Sequence, residues 1–161
     1  MTFLNPLEWI RNRAPKGGRR RKPADVVEAL TENYQDLLRL ARQIRSHAAM
    51  APYPAVKERL NRMAEEKEER AAVLKEKIGG LGATVAEEPS ELYAGRNLWE
   101  RMARDLAEQK DLEDRLFGDL LFLEVSPELG NVLGGIIEGE KAHREILTEL
   151  LVKADPQATQ S

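Results

Sequence analysis

The sequence predicts an all-α protein, in which four long helices form two antiparallel hairpins packed as a four-helix bundle. Three observations predict it. Apolar residues recur at spacings of three and four through most of the 161 residues. After residue 23, only "APYP" (51–54), "GGLGATVAEEPSE" (79–91) and "SPE" (126–128) break that period. The composition is 42% hydrophobic and 33% charged, with two Trp, three Tyr and three Phe, a balance suited to long amphipathic helices. No segment carries the alternating period of a strand.

The first helix is expected over 24–49, with Val27, Leu30, Tyr34, Leu37, Ala41, Ile44 and Ala48 on one face. The prolines of "APYP" stop it, because proline lacks the N–H that a helix interior needs and constrains its predecessor. A second helix runs from Pro54 to Ile78 on the stripe Val56, Leu60, Met63, Ala71, Leu74 and Ile78, and the glycines after it favour a C-terminal stop. A third is expected from Glu91 to Val125, with Leu98, Met102, Leu106, Leu116, Phe117, Leu120 and Leu123 inward. Ser126 can cap the fourth and Pro127 suits its first turn. That helix continues to Lys153 with Leu129, Val132, Leu133, Ile136, Leu147, Leu150 and Leu151 inward. The expected organisation is an arm over 1–23, a bundle over 24–153 and a polar tail over 154–161.

Charge divides the chain. Residues 1–23 hold seven bases and one acid, a net +6, and the remainder is −9. Cysteine is absent, which excludes disulfides, thiolate metal sites and cysteine nucleophiles. No apolar run approaches the roughly 20 residues of a membrane span. With no uninterrupted hydrophobic signal region at the N-terminus, a cytoplasmic location is expected. No serine, histidine and acid pattern points to nucleophilic catalysis. "GGLGAT" (79–84) lacks the Lys-Ser/Thr ending of a phosphate loop and follows a helix.

The informative residues are polar ones on apolar stripes. Lys67 lies within roughly 10–20° of the centre of the second helix's stripe at 100° per residue. Arg70 sits at that stripe's edge. Glu113 and, one turn earlier, Gln109 lie on the third stripe; Glu140 and His143 lie on the fourth. Glu113 is 13 residues before Ser126, Glu140 is 13 after Pro127, and Lys67 is 13 after Pro54, so the three are expected at one depth. His47 reads as an ordinary histidine near a helix C-terminus.

In this pattern residues 24–153 resemble a ferritin-like bundle of the rubrerythrin type. In that family each hairpin contributes a Glu from its first helix and a Glu-x-x-His from its second, and together these hold two iron or manganese ions. "IIEGEKAH" (136–143) carries the motif as Glu140 and His143. "AEEKEER" (64–70) has its frame, but Lys67 stands in the Glu place and Arg70 in the His place. On the first helix Thr31, Tyr34 or Leu37 occupies the carboxylate's place, and on the third Glu113 competes with Gln109 and Asp111. The resemblance therefore implies a degenerate di-metal site. Without metals, buried carboxylates need other cations, and Lys67 and Arg70 facing Glu113 and Glu140 form an ion-pair replacement.

The leading expectation is a non-catalytic structural or interaction protein, oligomeric, without a cofactor. An alternative keeps one iron or manganese on Glu113, Glu140 and His143, since two carboxylates and an imidazole suit those ions, with a redox role. The arm, with Phe3, Leu4, Leu7, Trp9 and Ile10 followed by Arg19, Arg20, Arg21 and Lys22, is expected to dock a protein partner. A third reading has it bind nucleic acid or an anionic membrane surface. Gly130, Gly134, Gly135 and Gly139 on the fourth helix leave room for a second protomer.

Overall fold

A computed structural model describes residues 23–87, 90–123 and 125–154. The arm through residue 22, including Phe3, Trp9, Arg19, Arg20, Arg21 and Lys22, and the tail 155–161 lie outside the described residues. Four helices carry the described chain: α1 (Pro23–Met50), α2 (Pro54–Gly80), α3 (Leu98–Phe122) and α4 (Pro127–Ala154). No strand occurs among the described residues. Each helix begins where the local chemistry favours it. Pro54 and Pro127 occupy first-turn positions, where a missing N–H costs nothing. The Ser126 hydroxyl accepts from Leu129 N at 3.2 Å, and the Asn97 side chain accepts from Glu100 N at 2.8 Å.

Asn97 also corrects the sequence reading of the third helix. That helix starts at Leu98, not at Glu91, and ends at Phe122, with Leu123 extended. Residues 91–97 belong to the crossover. Gly95 there has φ +65°, a left-handed conformation that ends any helical run.

Cross-helix pairs fix the topology. Asp36 meets Arg115 at 3.0 Å, Arg39 meets Glu108 at 2.7 Å and Gln43 meets Asp105 at 2.9 Å, so α1 and α3 are antiparallel. Arg59 with Glu149 (3.3 Å) and Lys77 with Glu128 (2.9 Å) set α2 antiparallel to α4. α1 and α2 form one hairpin and α3 and α4 the other, and each helix packs on two neighbours. The order is therefore up, down, down, up. It requires the 81–97 crossover to run the bundle's length, about 40 Å at 1.5 Å per helical residue.

The expected stripes fill the core. Leu30, Leu37 and Ile44 meet Leu60, Met63 and Leu74 on the first hairpin, and Met102, Leu116, Leu133 and Leu147 close the second. Each such side chain contributes about 1.5–3 kcal/mol of burial. Phe117 departs from the expectation. It is 45% exposed, and Leu112, unassigned by the sequence stripe, is buried instead. The two differ by five residues, or about 140° at 100° per residue, so they cannot share one face.

Candidate functional site

The bundle interior holds an ionic cluster at mid-depth. Lys67, on α2, is fully buried. Its Nζ lies 2.5 Å from Gln109 Oε1 on α3, 2.5 Å from Glu140 Oε1 and 3.0 Å from His143 Nδ1, both on α4. An ammonium has three N–H donors and no acceptor, and here three acceptors surround it. Burial pushes the Lys67 pKa below the ordinary lysine value, while Glu140 pulls it back. With all three donors satisfied, the charged form is the one this geometry favours.

Glu140 is the cluster's anion. Its Oε1 also accepts from Gln109 Nε2 at 3.2 Å, and its Oε2 accepts from Arg70 Nη1 at 2.5 Å. Burial alone would raise its pKa, but the charges of Lys67 and Arg70 hold it below the ordinary carboxylate value. Arg70 is half-buried at the edge of the stripe and also lies 3.6 Å from Glu66. Gln109 Nε2 donates to the Glu140 backbone carbonyl at 2.8 Å, which fixes the amide's orientation. The guanidinium approaches α4 closely because position 139 is glycine. A Cβ there would sit 2.5 Å from Arg70 Cζ.

His143 completes the cluster as a neutral ring. Burial, then the Lys67 charge, pushes its pKa down to about 4. Its Nδ1 faces Lys67, and its Nε2 donates to Glu66 Oε2 at 2.8 Å. The tautomer follows from those partners. A cleft of about 400 Å³ between α2 and α4, lined by Met63, Glu66, His143 and Ile146, opens beside it.

The structure thus brings together Lys67, Arg70, Glu140 and His143 and adds Gln109 and Glu66. Glu113 is placed differently. It is buried one turn further along α3, with Oε1 3.6 Å from Arg144 and Oε2 without a hydrogen-bond partner. Burial raises its pKa to about 7, against the pull of Arg144. Among the described residues no group of three or more His, Asp or Glu side chains is arranged to hold a metal ion.

Sequence reasoning missed a second polar network. His47 is fully buried, with Nδ1 2.6 Å from Asp105 Oδ2 and Nε2 2.5 Å from the Tyr93 carbonyl in the crossover. Gln43 donates to Asp105 Oδ1 at 2.9 Å and to Glu108, and accepts from Tyr93 N at 3.0 Å. His47 is therefore not an ordinary helix-end histidine. The available signal was spacing: Asp36, Arg39, Gln43 and His47 recur every three or four residues, a polar seam beside the apolar stripe.

The solved structure of bacterioferritin from Desulfovibrio desulfuricans, a protein with a diiron site, matches this chain with a TM-score of 0.60. The match covers 89% of this chain and 90% of that one, at 16% identity. The fold is ferritin-like. No protein-family model matches the sequence, and no curated protein matches it. The ferritin-like bundle thus rests on architecture, while its interior must be read from its own side chains.

Proposed function

We propose that this ferritin-like bundle is non-catalytic. A cation–carboxylate cluster stands where a dinuclear metal centre would be held, and the chain acts as a structural or interaction subunit. The observation that carries the reading is the buried Lys67 ammonium, bonded to the carboxylate and imidazole of the only retained Glu-x-x-His.

The donor set does not fit two metal ions. Divalent cations would have to enter beside the fixed charges of Lys67 and Arg70, against a repulsion that low dielectric strengthens. Both oxygens of Glu140 and both nitrogens of His143 already have partners. On α1 the expected carboxylate place offers Thr31, Tyr34 or Leu37. Ligand exchange would leave Lys67 a buried charge without its anion, a loss of several kcal/mol.

Elemental analysis tests this after incubating the full chain with iron(II) or manganese(II) and desalting it. The expected result is no retained ion, and two per chain would overturn the proposal. A second reading keeps one ion on Glu113, Glu140 and His143, with a redox role. The partnerless buried oxygen of Glu113 favours it. One ion per chain, lost in His143→Ala, would establish that reading instead. The interaction role assigns the basic arm to a protein partner and the bundle to a homo-oligomer or larger assembly. Deleting residues 1–22 should abolish partner capture while leaving helical content intact, and unchanged capture would refute docking through the arm.

A further inference from the structure

The crossover is fastened at two stations. Near its middle, Ala86 O accepts from Gln35 at 3.2 Å, and Glu87 pairs with Arg42 at 2.9 Å, both on exposed side chains. Further on, Tyr93 is held by buried Gln43 and His47. Val85 and Ala83 pack against the core, so the crossover covers apolar surface as well as linking helices.

The buried station depends on one proton. A carbonyl can only accept, so His47 Nε2, facing Tyr93 O, must carry hydrogen. On the other side, Nδ1 lies 2.6 Å from Asp105 Oδ2, so one proton must lie between those two atoms. Whether it resides on the ring or the carboxyl, the pair holds one more proton than neutral imidazole plus carboxylate. Removing it sets a ring lone pair against a carboxylate oxygen. Shifting the remaining hydrogen to Nδ1 repairs that contact but strips the donor from Tyr93 O.

We propose that the crossover is a proton-gated strap: loss of the proton shared by His47 and Asp105 frees Tyr93 and lets the buried station open from the α1/α3 groove. The charged and titratable groups around it come from three elements. From α3 they are Asp105, Glu108, Arg101 and Arg104, the last 5.1 Å from the Tyr93 ring centre. From α1 there is Arg39, bound to Glu108, and from the crossover the Tyr93 phenol. Burial lowers the His47 pKa, but Asp105 and the Tyr93 carbonyl outweigh it and place it above the ordinary histidine value. Burial likewise raises Asp105, so both groups bind the shared proton more tightly in the fold than apart. The station is therefore fully closed below the unfolded histidine pKa and weakens as pH rises through the folded one.

Amide hydrogen exchange on the full chain between pH 6 and 9, corrected for intrinsic base catalysis, tests the strap. The Tyr93 amide, bonded to Gln43, is the reporter. Its protection should fall by about tenfold per pH unit between the unfolded histidine pKa and the folded one and level off above it, while core amides such as Leu37 and Leu116 keep theirs. A flat Tyr93 profile, or one falling in step with the core, overturns the proposal. Asp105→Asn separates gating from mere packing. Its amide can donate to Nδ1 of a neutral His47, so the alkaline loss should vanish; persistence of that loss overturns the proposal. Should that variant not fold, His47→Gln, which cannot titrate, must likewise give a pH-independent profile.

Discussion

Replacing Lys67 by methionine keeps most of the side chain's volume and removes its charge. Three acceptors then lose a donor at once: Gln109 Oε1, Glu140 Oε1 and His143 Nδ1. Breaking one partner out of a buried ion pair costs about 3–5 kcal/mol, because the remaining charge stays buried. Arg70 still holds Glu140 Oε2 at 2.5 Å, which places the expected loss near 3 kcal/mol. At a urea slope of about 2 kcal/mol per molar, that lowers the unfolding midpoint by about 1.5 M. The loss should shrink as pH falls, because Glu140, released from the lysine that holds its pKa down, takes up a proton more readily. The double variant Lys67→Met, Glu140→Gln should recover much of the midpoint. Its amide oxygen can accept from Arg70 while its NH₂ donates to Gln109. Urea titrations of the three proteins, followed by circular dichroism, decide the matter. A midpoint change in Lys67→Met within the few tenths of a molar expected of a solvated lysine would refute the buried pair, as would a double variant weaker than the single.

Three further outcomes follow from the same geometry. Lys67→Glu with Arg70→His recreates Glu-x-x-His on α2 and strips two cations from the cluster; by urea titration this variant should be destabilised in chelator and regain stability with iron(II) or manganese(II), whereas equal stability in both would count against the replacement of metal by charge. Gly139→Ala should destabilise despite the roughly 1 kcal/mol helix preference of alanine, because its Cβ would displace the Arg70 guanidinium. By contrast Gly134→Ala, with nothing within 4 Å of the added carbon, should raise the thermal midpoint. Glu113, whose folded pKa of about 7 exceeds the ordinary 4.5, binds its proton more tightly folded than unfolded. Stability is therefore lost as pH rises from about 4.5 through 7, and Glu113→Gln should be near neutral at pH 5 yet stabilising at pH 8, as urea midpoints at the two values will show.

The bundle was legible because its signal is local. Stripes such as Leu30, Leu37 and Ile44 report burial through the 3.6-residue period, and the prolines at 54 and 127 report helix starts through their missing donors. The crossover was less legible. Periodicity extended the third helix back to Glu91, because nothing in the spacing shows that an antiparallel α1/α3 arrangement needs those residues as extended chain. Asn97 and Gly95 were the cues present. Lys67 and Arg70 stood out because charge on an apolar stripe violates the pattern. His47 did not, since a histidine near a helix end is unremarkable until a carboxylate from another helix reaches it.

By itself the sequence determined four amphipathic helices, where two of them start, and that a lysine and an arginine occupy inward positions on the second. Those properties depend on residue type and spacing within one turn of helix. Only the tertiary structure decided that Gln109, rather than Glu113, meets Lys67, that Glu66 accepts a hydrogen bond from His143, and that Asp105 and Tyr93 share His47. These contacts join residues 42–77 positions apart, so they depend on helix order, register and rotation, which no single stripe records.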